Sequence, residues 1–111
     1  MITIDFDELT EGGRVHNLTG RDLGRRAREQ LNLEELDKSD DEVRILVPDH
    51  IYLITPSFFI GMFAASVSLQ GSLDKFFQKY KFESEPSVLR QVHDAAKRVL
   101  SVANKGASAP F

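Results

Sequence analysis

Residues 43–71, VRILVPDHIYLITPSFFIGMFAASVSLQG, decide the fold class because they place a strand, a turn and a helix in immediate succession. The stretch opens with short, β-branched and almost continuously apolar sequence, which predicts a central strand. Thr55 is a favourable helix N-cap, and Pro56 suits the first helical position because its missing amide costs nothing there. We therefore predict a helix over residues 58–70, ended by Gly71.

The preceding segment supplies another strand and another helix. Residues 1–6 alternate between apolar and polar side chains, which is typical of a half-buried strand at a sheet edge. Residues 20–31 carry an apolar stripe at helical spacing, and Thr19 is the expected N-cap of that helix. Residues 8–17 and 32–42 are polar and lack an apolar period, so we predict a loop and a connector there.

The segment after the deciding stretch begins ambiguously. Residues 72–83 fit a short helical turn, and residues 80–83 alternate like a brief strand. Pro86 then opens a long helix whose apolar residues recur at the helical period. Strands alternating with helices predict one α/β domain over residues 1–104, with a small, mainly parallel sheet packed with helices. Residues 105–111 are predicted to form a flexible C-terminal tail.

Composition narrows the class of protein. The chain has 111 residues, 41% hydrophobic and 28% charged, which suits one globular domain. Its net charge of −3 argues against a nucleic-acid binder, and the absence of cysteine excludes disulfides and thiolate metal sites. The longest apolar stretch, residues 51–67, is too short and too polar to span a membrane. Because residues 1–5 show no signal-peptide pattern, we expect a cytoplasmic protein.

Catalytic chemistry has little support in the sequence. The three histidines, His16, His50 and His93, are scattered over a loop, a strand end and a helix. Residues at metal-ligand spacing are missing around them, so no metal site is expected. The sequence also lacks a nucleophile elbow, a glycine-rich phosphate loop and a paired-carboxylate signature. We expect neither enzymatic activity nor a cofactor, and keep a small nucleotide-binding protein as an alternative.

One basic cluster lies on the first predicted helix. It consists of Arg21, Arg25, Arg26 and Arg28, which helical geometry spreads around much of the outer surface. A solvated face is the favoured interpretation, because aromatic residues do not alternate with the arginines and the acidic run at 37–42 partly neutralises them. A nucleic-acid-binding module that uses this helix is a further alternative.

The helix that follows Thr55 is apolar on every side. Burying a helix on all sides is difficult in a domain this small, so part of its surface is expected to contact another chain. The alternative is that a loop and Phe76 with Phe77 cover this surface within the domain. A second copy of this chain is one of the partners that fit. The predicted interface residues are Phe58, Phe59, Met62 and Phe63.

Ser57 lies in the first turn of the same helix, where free amides and the helix dipole stabilise added negative charge. A phosphoryl group there is electrostatically tolerated and alters the adjoining surface. The alternative is that Ser57 only assists capping or faces a neighbouring loop.

Residues 43–63, with the ITPSFF turn, and residues 76–83, FFQKYKFE, resemble the bacterial STAS-like domain. The element order is similar over about residues 1–103. This resemblance implies a STAS-like fold and a regulatory role related to that of anti-sigma factor antagonists. It implies Ser57 as the phosphoacceptor, with Thr55 as the alternative, and a histidine-kinase-like ATPase or an anti-sigma factor as the partner.

Overall fold

The computed structural model describes the backbone of residues 1–108 and the side chains of residues 1–101. The strands are β1 (Ile2–Asp5), β2 (Asn17–Leu18), β3 (Val43–Leu46), β4 (Leu53–Ile54) and β5 (Tyr80–Glu83). The α-helices are α1 (Arg21–Gln30), α2 (Leu33–Lys38), α3 (Pro56–Gln70), α4 (Leu73–Lys79) and α5 (Pro86–Ser108). A 3₁₀ helix, Phe6–Leu9, directly follows β1. The predicted α/β class is confirmed.

The main sheet contains β1, β3 and β5, with β3 in the middle and both pairings parallel. In its register, Ile2 and Tyr80 lie on either side of Val43. The predictions of a central strand beginning at Val43 and of an edge strand near the N-terminus are therefore confirmed. β2 and β4 form a separate two-stranded parallel ribbon.

α3 lies between α1 and α5 and packs most extensively against these two helices. Its ends follow the sequence signals: Thr55 Oγ accepts a hydrogen bond from the Phe58 amide at 3.2 Å, and Pro56 occupies the first turn. Gly71 ends the helix with φ of 81°, a left-handed conformation that favours glycine.

The predicted partner-facing side chains of α3 are buried inside the domain, so that prediction is wrong. Each of them is at most 1% exposed, because helices and the sheet cover α3 from several sides. The ring of Phe63, for example, meets the rings of Phe76 and Tyr80 edge to face. The residues concerned are Phe58, Phe59, Met62 and Phe63.

A buried polar cluster joins α1, α2, α3 and β5. Arg28 donates to Asp37 Oδ2 at 2.6 Å and to both Met62 O and Ser66 Oγ at 2.9 Å. Ser66 Oγ and the Tyr80 hydroxyl also donate to the Asp37 carboxylate. Arg28 was predicted on the outer surface, and it instead turns inward because a carboxylate that is 5% exposed needs a partner.

Three local predictions differ from the structure. Gly20, with φ of 90°, occupies the N-cap of α1 in place of Thr19, and none of the described side chains caps this helix. The loop predicted over residues 8–17 includes the end of the 3₁₀ helix and runs into β2. The connector predicted over residues 32–42 contains α2.

The C-terminal half agrees with both interpretations of residues 72–83, because α4 is followed directly by β5. α5 extends through Ser108, four residues beyond the predicted domain boundary at 104. Residues 109–111 of the predicted tail lie outside the described residues.

Candidate functional site

Exposed polar and apolar side chains lie together in the segment where β4 leads into α3. We call this segment the β4–α3 junction (residues 52–57). Two backbone hydrogen bonds fix its path, from the Tyr52 amide to His16 O at 2.8 Å and from the Thr55 amide to Leu18 O at 3.0 Å. Between them, the Ile54 amide donates to Gln91 Oε1 of α5 at 2.8 Å. The junction is therefore held by two neighbouring elements before α3 begins.

Thr55 and Ser57 are the two hydroxyl residues at the start of α3, and they differ in hydrogen bonding and exposure. Thr55 Oγ accepts the Phe58 amide and is half-buried, whereas Ser57 is exposed and its hydroxyl lies 3.2 Å from Thr55 Oγ. Thr55 is therefore the N-cap, as predicted, and the contact of the Ser57 hydroxyl with Thr55 Oγ also fits the alternative that Ser57 assists the cap. The Ser57 hydroxyl remains at the surface, next to the free end of the helix.

The N-terminus of α1 lies beside that of α3. The Gly20 amide is 3.4 Å from Thr55 Oγ, which places the first turns of two α-helices next to one hydroxyl. Each helix N-terminus carries a partial positive charge from its unsatisfied amides. Both N-termini therefore lie near Thr55, and α1 already carries Asp22 in its first turn.

The same junction exposes apolar side chains. Tyr52 is 63% exposed and Leu53 is 37% exposed, although both are large hydrophobic residues. The Tyr52 ring stacks on His16, with 5.3 Å between ring centroids and 12° between ring planes. We call Tyr52, Leu53 and His16 the Tyr52 surface. Pro56 and Ser57 are also exposed, although the buried Ile54 and the half-buried Thr55 separate them from Leu53 along the chain.

The sequence did not point to Tyr52 and Leu53 as surface residues. They sit in a run of apolar residues that read as an extension of the central strand. The one signal that distinguishes them is the pair Pro48 and Asp49, which follows β3 and separates it from the short strand β4. In β4, Leu53 is exposed and Ile54 is buried.

The carboxyl ends of β1, β3 and β5 enclose an open cavity of about 540 Å³. Its polar lining consists of five carboxylates, Ser84 and His50, whose Nε2 lies 2.9 Å from Asp7 Oδ1. At its edge, Arg44 hydrogen-bonds to Glu83 and holds the pKa of that carboxyl below its ordinary value. Within the described part of the chain, groups of three or more metal-ligating side chains in a suitable arrangement were not found.

The histidines fall into two places. His16 and His50 come together, with ring centroids 5.9 Å apart, although they are distant in sequence. His93 stacks on Phe77 with ring centroids 4.0 Å apart and planes at 9°, which is a packing contact between α5 and α4.

The arginine cluster is weaker as a basic surface than the sequence suggested. Arg21, Arg25 and Arg26 are exposed, but Arg25 forms an ion pair with Asp22. Since Arg28 is committed to the buried cluster, the nucleic-acid alternative loses one of its four cations.

No family model, curated protein or solved structure matches this chain.

Among the residues that the structure describes, no helix is both long enough and apolar enough to cross a membrane.

Proposed function

We propose that this chain is a non-enzymatic regulatory domain of STAS-like type that binds a protein partner in the bacterial cytoplasm. The observation that supports this most is that Thr55 and Ser57 differ in hydrogen bonding and exposure at the start of α3. Thr55 caps the helix, which leaves the exposed Ser57 hydroxyl available for phosphorylation beside two helix N-termini.

The proposed docking site is the Tyr52 surface, which replaces the buried α3 residues that the sequence had suggested. Two adjacent, exposed hydrophobic side chains on a fixed backbone offer apolar contact to a partner. The resemblance of residues 43–63 and 76–83 to STAS-like domains suggests a histidine-kinase-like ATPase or an anti-sigma factor as that partner.

The proposed switch follows from the position of Ser57, which is exposed and lies four residues after Leu53 in the chain. A phosphoryl group adds roughly −1.5 to −2 charges at neutral pH. In a tight contact that also covers Leu53 and Pro56, this charge has to be desolvated, which is costly without a paired cation. Phosphorylation therefore releases the partner, while the two helix N-termini keep the free domain folded.

The test is a pull-down from the native cytoplasm with this domain as bait, followed by identification of the captured protein and direct binding measurements. We expect Leu53→Ser to abolish capture. Leu69→Ser is the matched control, because Leu69 is 63% exposed near the other end of α3 and its replacement should leave capture unchanged. Equal capture by the two variants would contradict the proposed surface.

Two further measurements separate the alternatives. Salt-dependent retention on a nucleic-acid column, lost in an Arg21→Ala, Arg26→Ala variant, would favour the nucleic-acid module. A thermal shift with a nucleotide at low micromolar concentration would favour the nucleotide-binding protein. Either result without a protein partner would overturn the proposal.

A further inference from the structure

The helices cover the main sheet on one face only. α1 and α2 connect β1 to β3, α3 and α4 connect β3 to β5, and both strand pairings are parallel. Right-handed crossovers that advance in one direction across a sheet place their helices on the same face. On the other face, five side chains of the three strands are exposed and one is half-buried. We call these residues the open sheet face: Thr3, Asp5, Arg44, Leu46, Lys81 and Glu83.

A parallel sheet with one bare face is uncommon, because parallel sheets are almost always covered by other elements on both faces. Arg44 and Glu83 hydrogen-bond to each other across β3 and β5, and their side chains are still 44% and 50% exposed. The face is therefore accessible even where its own side chains pair. This makes it a surface on which another molecule can pack.

The charges of the open sheet face form two rows that cross the strands. The row nearer the amino ends of the strands is basic, and the row nearer their carboxyl ends is acidic. Residues two apart on a strand are about 7 Å apart, which is the spacing of the rows. The basic row is Thr3, Arg44 and Lys81, and the acidic row is Asp5, Leu46 and Glu83.

Both rows have capacity for further charge pairs. Lys81 Nζ lies 3.7 Å from Glu42 Oε2, which is too long for a hydrogen bond, and an ammonium group carries three donors. The Glu83 carboxylate binds Arg44, and a carboxylate accepts up to about four hydrogen bonds. Asp5 and Glu83 also line the cavity at the carboxyl ends of the strands, together with three further carboxylates. Negative charge is therefore in excess at that end of the face.

We propose that the open sheet face binds the same face of a second copy of this chain, with the strands of the two copies antiparallel. A two-fold axis that lies between the sheets and crosses the strands places each basic row over the acidic row of the other copy. Lys81 then faces Glu83 of the second copy, twice by symmetry. An axis along the strands would place Arg44 over Arg44 and Glu83 over Asp5, so the charges select the antiparallel arrangement.

The size of the face determines the strength of this contact. Three strands of four residues cover roughly 15 Å by 13 Å, which is well below the area of about 800 Å² that each partner buries in a stable interface. Exposed charge pairs are also screened by salt. We therefore expect a weak and reversible dimer that is favoured by low salt.

The test is sedimentation equilibrium of the full chain from about 10 μM to about 1 mM, a range that suits a small interface. The wild type should dimerise as its concentration rises, at least about fivefold more weakly in about 0.5 M than in about 0.05 M salt. Lys81→Glu and Glu83→Lys should each weaken association by at least about tenfold, because each creates two like-charge pairs. An equimolar mixture of these two variants restores opposite charges at both positions and should associate again.

Lys97→Glu on α5 and Glu29→Lys on α1 are the matched controls. Both residues are exposed on helices, and their replacement makes the same changes in net charge away from the open sheet face. Each control should associate like the wild type. Equal losses in the controls and in the variants of the face would overturn the proposal.

The second copy is also excluded if the wild type stays monomeric at about 1 mM in low salt, or if the mixture stays monomeric although both variants fold. If a variant does not fold, the wild-type NMR spectrum decides the question. The backbone amides that shift with protein concentration should be those of Thr3, Arg44, Leu46 and Lys81. Shifts confined to other residues would contradict the proposed face.

A different protein could occupy this face instead. Capture of a protein that is lost in Lys81→Glu but retained in Leu53→Ser would assign the face to that protein and overturn the second copy. The sedimentation result is independent of Ser57 and of the Tyr52 surface, so it does not bear on the proposed function.

Discussion

Gly24 of α1 and Gly61 of α3 lie against each other, so these two helices touch backbone to backbone. A β-carbon on Gly24 would lie 3.1 Å from the Gly61 Cα and 2.9 Å from the Met62 nitrogen, and would overlap the Phe58 carbonyl oxygen. The reverse substitution is equally restricted, because a β-carbon on Gly61 would lie 3.0 Å from the Arg21 carbonyl carbon. This close approach is what brings the N-termini of α1 and α3 together around Thr55.

Gly24→Ala should destabilise the domain, although alanine is the better helix former. The intrinsic gain of about 0.5–1 kcal/mol is outweighed by overpacking against backbone atoms, which typically costs about 1–3 kcal/mol. Urea unfolding measures the change. Ala65→Gly, on the exposed face of α3, gives the propensity term alone as a control. A higher unfolding midpoint for Gly24→Ala would contradict the backbone contact.

Asp37→Ala should cost about 3–5 kcal/mol of unfolding free energy, because it leaves Arg28 without its partner at a largely buried position. The matched control is Glu35→Ala on the same helix, since the Glu35–Lys38 pair is about two-thirds exposed. That variant should change stability by less than about 0.5 kcal/mol. Similar losses of unfolding free energy in the two variants would show that the buried Arg28–Asp37 pair contributes no more to stability than an exposed ion pair.

Stability should fall at alkaline pH through Tyr80. Burial, and then the hydrogen bond to Asp37, raise the pKa of Tyr80 above its ordinary value near 10. The unfolded chain thus releases this proton at lower pH than the folded chain, and stability declines as pH rises above about 10, by at most about 1.4 kcal/mol per pH unit.

The measurement is the difference in unfolding free energy between the wild type and Tyr80→Phe, from pH 8 to pH 11. The variant should be less stable at pH 8, and the gap should narrow as pH rises. A difference in unfolding free energy that stays constant with pH would mean that Tyr80 has the same pKa in the folded and unfolded chain, which would contradict the prediction.

Ser57→Asp should weaken partner binding by more than about tenfold, which corresponds to about 1.4 kcal/mol, while Ser57→Ala binds normally. The aspartate should leave stability unchanged or raise it by up to about 1 kcal/mol, because it lies at a helix N-terminus. Calorimetric titration with the identified partner measures the first effect, and thermal unfolding measures the second.

Ser68→Asp is the control for this prediction, because Ser68 is exposed on the same helix but near its C-terminal end. It adds the same charge, should leave binding intact and should lower stability slightly. Equal affinities for Ser57→Asp and Ser57→Ala would exclude the charge switch.

Sequence reasoning succeeded where the signal is local. Thr55, Pro56 and Gly71 delimit α3 by backbone chemistry that needs no tertiary context, and the apolar strand at Val43 can only be central. It failed where contacts with segments distant in sequence determine the local structure. β2 has two residues and forms because His16 O and Leu18 O accept amides of the β4–α3 junction, which no pattern near residue 17 reveals.

The same distinction holds for α1 and α2. Gly20 replaces Thr19 as the cap because the chain must turn with positive φ as α1 meets α3. α2 begins after Asn32, which has a φ of 57°. This positive φ is uncommon outside glycine and cannot be read from the sequence. Residues 32–42 are mostly polar, and they were therefore predicted as a connector.

For the candidate site, the sequence placed Thr55 and Ser57 at the start of α3, where the structure has them, but the four α3 side chains that it predicted at a partner interface are buried. α3 is apolar on all sides because it is surrounded within its own domain, a property that periodicity cannot distinguish from an external interface. The meeting of His16 and His50 depends on the pairing of β2 with β4, and was likewise beyond sequence reasoning.

All strand pairs in the described chain are parallel, and in the main sheet they join segments about 40 residues apart. Such contacts form slowly, because a long loop must close before any pairing is rewarded. Since β5 and α5 follow α3 in the chain, α3 emerges from the ribosome before these elements, which cover much of its aromatic surface. We therefore expect this domain to fold only after β5 and α5 have emerged, with the aromatic surface of α3 exposed in the nascent chain until then.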